Sequence, residues 1–181
     1  MSRISPWSKA CLAGVVWIAS IGNAANLSAL SIQLPKQGYC TEPEYRQFDF
    51  WVGDWDAFEM NGSTPVARVQ VDRILDGCVL REDYQDMTGH KGQSFSIYDA
   101  SRRVWHHSWV TNRGQLLVIE GSLRNGEMVL SGEDHAKPTR TVVRGTWAPL
   151  NGGVRETAVT SMDGGRTWKP WFDLMFRPHK P

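Results

Sequence analysis

Turn signals recur through this chain at intervals too short for a helical fold. Asn61-Gly62, Asp76-Gly77, Thr88-Gly89, Asn112-Arg113-Gly114, Asn125-Gly126, Asn151-Gly152-Gly153 and Asp163-Gly164-Gly165 punctuate it. Asn-Gly and Asp-Gly supply the positive φ that tight hairpins require. Between them lie short runs rich in β-branched and aromatic residues, and nothing after Pro43 holds a helical apolar period for more than a few residues. The pattern predicts strands over 48–60, 65–75, 78–87, 92–99, 103–111, 114–123, 126–134, 139–148, 153–161 and 166–177. Strands joined in chain order by short turns form an all-β, up-and-down antiparallel meander. Closing it into a single barrel removes both exposed edges, and about ten strands leave room for a small ligand inside. A two-sheet sandwich with a filled core is the alternative. Residues 41–47 read as one short helical turn, with Thr41 as N-cap and Glu44 three residues on.

The first segment reads as a leader rather than as part of this fold. Arg3 and Lys9 precede an apolar run from Ala10 to Ile21, and the small residues Gly22-Asn23-Ala24-Ala25 follow. This is the layout of a signal peptide over 1–24, cleaved near Ala24 or Ala25. A membrane anchor is the other reading, but an apolar run of about twelve residues is short of the ~20 that span a bilayer. Cys11 precedes the apolar run, which makes it a poor lipoprotein cysteine. The expected organisation is leader 1–24, an extension over 25–40 and one barrel domain over 41–181, in an exported, periplasmic or secreted protein. Removing the leader takes two of the 20 basic residues and none of the 19 acidic ones, leaving a net charge of −1. That balance argues against nucleic acid as a partner, since phosphate binding needs a concentrated basic surface. Cys40 and Cys78 then remain, an even count that favours a disulfide in an oxidising compartment over two separate buried thiols.

Residues 161–168, Ser-Met-Asp-Gly-Gly-Arg-Thr-Trp, fit the S-x-D-x-G-x-T-W pattern of the Asp box repeated on sialidase propellers. A propeller needs several four-stranded blades, and this chain carries one box in a domain too short to supply them. The box is therefore read as a turn: Ser161 and Asp163 bond its backbone, the glycines supply positive φ, and Trp168 plugs the hairpin.

The opening strand, FDFWVGDWD at 48–56, pairs Gly53 with Trp55 in the G-x-W manner of lipocalin-type (calycin) barrels. In those folds the Trp closes one end and stacks under an Arg from the last strand, a role open to Arg177. With ILDGCVLRE at 74–82, SFSIYD at 94–99, WHHSW at 105–109 and SMDGGRTW in order, the chain resembles an exported bacterial family of unknown function grouped with the calycins. The resemblance covers about residues 40–178 and implies a barrel; the family's recurring cysteines match Cys40 and Cys78. His107 departs from the Gln usual there, and the resemblance brings no catalytic residues. A more distant likeness to nitrobindin-type haem barrels would require an axial histidine. His90, His106, His107, His135 and His179 lie in no matching motif, so no cofactor is expected and haem is disfavoured.

Strand alternation assigns faces. Cys78, Leu80, Glu82 and Tyr84 form one mostly apolar face, which would carry the Glu82 carboxyl into the barrel. A buried carboxylate needs a partner or a raised pKa, and Arg144 is a candidate partner. The alternatives are a structural ion pair or a ligand contact. Trp105, His107 and Trp109 share another face. Turned inward they form a wall for a flat or apolar ligand; turned outward they form a patch that invites a partner. The inward reading is preferred.

No G-x-S-x-G elbow, H-E-x-x-H, phosphate loop or paired-cysteine zinc spacing occurs, and no metal site is expected. His106 and His107 are adjacent, so on a strand they cannot ligate one metal. Asp54 and Asp56 share a face, but would pair as acid and base only if buried. The favoured reading is an exported barrel that binds a small apolar or aromatic molecule, with Trp105, Trp109 and Tyr84 as walls and Glu82, His107 and Arg144 as polar contacts. Two alternatives stand beside it. One is a barrel isomerase, cyclase or lyase with Glu82 or His107 as acid–base. The other is an envelope interaction module with a filled core and outward Trp105 and Trp109.

Overall fold

The computed structural model describes residues 38–180, so the expected leader and nearly all of the 25–40 extension lie outside the described residues. The ten strands form as the turn spacing predicts: β1 (Gly53–Glu59), β2 (Ala67–Ile74), β3 (Val79–Asp86), β4 (Lys91–Asp99), β5 (Val104–Thr111), β6 (Leu116–Arg124), β7 (Glu127–Asp134), β8 (Thr141–Leu150), β9 (Gly153–Ser161) and β10 (Lys169–Pro178). Every neighbour in sequence is an antiparallel neighbour in space, and β1 pairs with β10 to close the barrel. The turns at Asn125-Gly126 (φ 52° and 84°) and Asn151-Gly152 (φ 51° and 75°) have two positive-φ residues in succession, the geometry that matches strand twist in two-residue hairpins. No helix among the described residues is long and apolar enough to cross a membrane.

The N-terminal stretch differs from the expectation. Residues 48–51 do not extend β1 but form a 3-10 turn, Asp49–Trp51, after a first 3-10 turn at Pro43–Arg46. The Trp51 amide donates to the Phe48 carbonyl at 3.0 Å, a one-turn repeat that carries both side chains into the barrel end. Phe48 and Trp51 are 0% and 1% exposed. Phe48 meets Trp105 and Trp147 edge-on, while Trp51 stacks on Trp55 and meets Phe176 at 4.6 Å between ring centroids. Together these rings plug one end of the barrel. Thr41 is not the cap expected of it: Glu42 precedes the first turn, and no side chain caps that turn.

Cys40 and Cys78 are disulfide-bonded, tying the start of the plug to the β2–β3 turn. Arg46 donates to the carbonyls of Cys40 and Gly77, and Arg73 pairs with Asp49. Trp105 Nε1 donates to Gln47 Oε1 at 3.2 Å. The plug is therefore held covalently, by ion pairing and by packing.

Between β9 and β10, the 162–168 turn has the structural role expected of the Asp box. Asp163 Oδ1 accepts from the amides of Arg166 and Thr167, and its Oδ2 accepts from Thr167 Oγ1 at 2.6 Å. Ser161 Oγ accepts from the Gly165 amide, and Trp168 Nε1 donates to the Gly165 carbonyl at 3.0 Å. These bonds hold Asp163 down to about 2, led by those from Thr167.

Opening the Cys40–Cys78 bridge frees a loop spanning a sequence separation of 38. By chain entropy, Cys40→Ala/Cys78→Ala is expected to lose roughly 3–4 kcal/mol and on the order of 10 °C in Tm. Calorimetric melting with and without reductant checks this; coincident melts would show that the bridge does not hold the plug.

Candidate functional site

Because aromatic residues fill one end, the barrel is hollow at the other. A cavity of about 630 Å³ opens between the β1–β2, β3–β4, β5–β6, β7–β8 and β9–β10 turns. Its walls come from inward positions on successive strands: Tyr84, Trp109, Ile119, Val143, Trp147 and Leu174 among them. Two glycines make room for the largest of these. A Cβ on Gly92 would fall 2.2 Å from the Trp109 ring, and one on Gly145 would fall 2.8 Å from Trp147. The Trp109 indole lies over Gly92 of the neighbouring β4, and the Trp147 indole over Gly145 of its own strand β8.

The sequence-predicted residues separate into those the lumen gathers and those it does not. Glu82, Tyr84, His107 and Trp109 line the cavity, and Trp109 meets Tyr84 edge-on at 5.7 Å. Trp105 also turns inward, but it belongs to the aromatic plug below the cavity. The outward patch required by the interaction-module reading is therefore not made by Trp105 and Trp109.

Arg144 is not the partner of Glu82. It alternates with the inward Val143 and Gly145, lies on the outer face, and stacks over Trp168 at 4.0 Å. Arg177 does not cover Trp55 either. Trp55 stands opposite Pro178, so Arg177 has the other parity and lies over Phe58 at 4.3 Å. Asp54 and Asp56 are also on the outside, where Arg68 pairs with both and His179 bonds Asp56 at 3.0 Å. They form no buried acid–base pair.

Inside the lumen the carboxyl of Glu82, 7% exposed, accepts a hydrogen bond from Ser94 Oγ at 2.8 Å. Burial pushes it up to about 7, with the Ser94 bond opposing and the nearby Asp83 adding to the rise. A second carboxyl, which strand-by-strand reading did not single out, comes from β9. Glu156 stands beside Trp147 in the ladder and lines the same cavity, so its remaining exposure is to the lumen. Burial raises its pKa well above the ordinary range, and the Glu82 charge raises it further. Trp147 opposes that rise, although its buried Nε1 has no partner in hydrogen-bond geometry. Alternation could have found Glu156: Val154, Glu156 and Ala158 share one face, two of them wholly apolar.

His107 is the third polar group of the lumen. Its Nδ1 shares a hydrogen bond with Ser96 Oγ at 2.8 Å, and its ring lies 5.5 Å from that of Trp147. Burial, aided by the neighbouring His106, lowers it to about 4, so it is neutral at physiological pH. His106 points outward to Glu120 at 2.8 Å, confirming that adjacent histidines face opposite ways. No group of three His, Cys, Asp or Glu side chains among the described residues is arranged to hold a metal ion. No protein-family model matches the chain, and no curated protein matches it significantly. Its chemistry therefore has to be read from the lumen itself.

The two kinds of lumen group set opposite pH dependences. Glu82 has a raised folded pKa, so its contribution is fully present below the ordinary 4.5 and is lost as pH rises towards about 7. His107 has a lowered one, so its contribution is present above the ordinary 6.5 and is lost as pH falls towards about 4. Glu82→Gln is expected to remove the alkaline loss, leaving the variant roughly 2–3 kcal/mol more stable than the parent near pH 8 and similar to it near pH 5. Denaturant melts at the two pH values check this; an equal difference at both would mean that Glu82 does not titrate in the lumen.

Proposed function

We propose that this protein is an exported binder of a small apolar or aromatic molecule, held in the barrel lumen. The observation that carries the reading is the cavity of about 630 Å³, walled by Trp109, Trp147, Tyr84 and aliphatic side chains and lying beyond the aromatic plug. That volume lies within the range of small-molecule sites, which join a mostly apolar wall to a few polar groups. Here those groups are Glu82, Glu156 and His107. Export is supported by the leader-like sequence of 1–24 and by the disulfide, a bond that persists in oxidising compartments. The resemblance of FDFWVGDWD and the stretches that follow it to an exported calycin-group family supports the same reading.

Catalysis by an isomerase, cyclase or lyase is the second reading. One observation favours it: Glu82 and His107, two groups with shifted pKa values, face one lumen. Binding is preferred because neither group is paired with the other in the manner of a relay; each bonds a serine.

Titration with the neutral fluorophore N-phenyl-1-naphthylamine tests the binding reading. One molecule is expected per barrel. Ala158→Trp, which fills the lumen, should abolish binding, and Trp109→Ala should weaken it by about tenfold. The outer-face change Phe95→Ser/Val118→Ser should leave it unaltered. Binding lost through the outer-face change and retained in Ala158→Trp would place the dye on the surface and overturn the proposal.

A further inference from the structure

The lumen holds two carboxyls and no cation to neutralise them among the described residues. Glu82 and Glu156 project from β3 and β9 into one cavity, and neither is used in a structural ion pair. Arginines elsewhere are engaged on the outer face, such as Arg155 with Asp173 and Arg144 over Trp168. Retaining an unpaired carboxyl in an apolar cavity is costly, and two of them cost more.

We propose that the lumen selects ligands that carry a protonated amine or amidine on an apolar or aromatic body, with the Glu82 and Glu156 carboxyls receiving the cation. This deepens the lumen-binding reading and rests on it. Three features support the choice. Among the described residues Ser94 is the one side chain that hydrogen-bonds Glu82, and Glu156 has only the off-geometry Trp147 indole, so both carboxyls have acceptor capacity to spare. Trp147 lines the cavity beside Glu156, and its buried Nε1 has no partner in hydrogen-bond geometry among the described residues, so the indole leaves the Glu156 carboxyl open to a better-placed donor. The aromatic walls of Trp109, Trp147 and Tyr84 attract cations through their faces. An anionic ligand would add a third negative charge to this site. A neutral ligand without donors would leave the carboxyls as they are.

Ionising either carboxyl raises the pKa of the other, so the pair favours keeping a proton. An entering ammonium takes over the role of that proton, which leaves to solvent, so charge balances. The groups facing the pair reinforce this exchange. On β5, His107 is neutral; on β3, Tyr84 has its phenol pushed up to about 12, chiefly by burial, and remains a neutral hydroxyl. Asp83 lies on the outer side of β3. Towards the mouth are Glu59, Asp86 and Asp134, with His90 and Lys137 as the basic groups at the rim.

Three probes of one shape test the selectivity: 2-(1-naphthyl)ethylamine, 2-(1-naphthyl)ethanol and 1-naphthylacetate. Titration calorimetry on the whole protein near pH 7, in two buffers of different ionisation enthalpy, reads affinity and proton release together. The amine is expected to bind about tenfold or more tighter than the alcohol, with the acid weakest, and to release up to about one proton. The readout in each variant is its own amine-to-alcohol ratio. That ratio should fall to about one in Glu82→Gln/Glu156→Gln, and by at least about threefold in either single variant should the double variant fail to fold. It should be unchanged in the surface control Glu133→Gln. An alcohol bound as tightly as the amine, or a preference that survives both carboxyl changes, overturns the selectivity and leaves lumen binding standing. Failure of all three probes to bind overturns both.

Discussion

The plug of aromatic rings at one end of the barrel is the interaction on which the rest depends. Phe48 and Trp51 leave the strand path and turn inward, meeting Trp55, Trp105, Trp147 and Phe176 from four strands. Large aromatic side chains bury more apolar area than any others, so a few of them stabilise a barrel without filling it. The plug concentrates the core at one end and leaves the other hollow. The disulfide, the Arg46 bonds and the Arg73–Asp49 pair keep the plug segment seated.

The hollow end follows a different rule. Its walls are apolar, but Glu82, Glu156 and His107 stand among them at a cost that a filled core would not incur. Burial favours the uncharged form of each: it raises both carboxyls and lowers the imidazole. A carboxyl pair that shares a proton can exchange it for an entering cation without adding charge to the lumen. Gly92 and Gly145 contribute by absence, since their missing side chains let Trp109 and Trp147 lie flat and widen the cavity to ligand size.

Most of this architecture was legible in the sequence, for physical reasons that differ by feature. Asn-Gly and Asp-Gly turns have a narrow conformational repertoire, so they located the strands to within a few residues. Period-two alternation then placed Glu82, Tyr84, His107 and Trp109 on inward faces, where the structure has them. On β9 the same period runs Val154, Glu156, Ala158, a face whose charged middle residue argues by composition against the inward position that the structure gives it. The plug was not legible because FDFWVGDWD is as rich in aromatic residues as a buried strand; only its packing in three dimensions makes Asp49–Trp51 a 3-10 turn. For Arg144 and Arg177 register overrides chemistry: Glu82 and Trp55 are attractive partners by residue type, but neither arginine shares its partner's parity in the ladder.

The central claim is that the lumen is dry enough to keep the Glu82–Glu156 pair partly protonated near neutral pH. Infrared spectroscopy of the protein near pH 7 reads this directly through the carbonyl stretch of protonated carboxyls. The predicted result is a protonated-carboxyl band in the parent protein that is absent from Glu82→Gln/Glu156→Gln. A parent spectrum in which every carboxyl is ionised would mean that the lumen solvates charge as bulk water does, and would contradict the account.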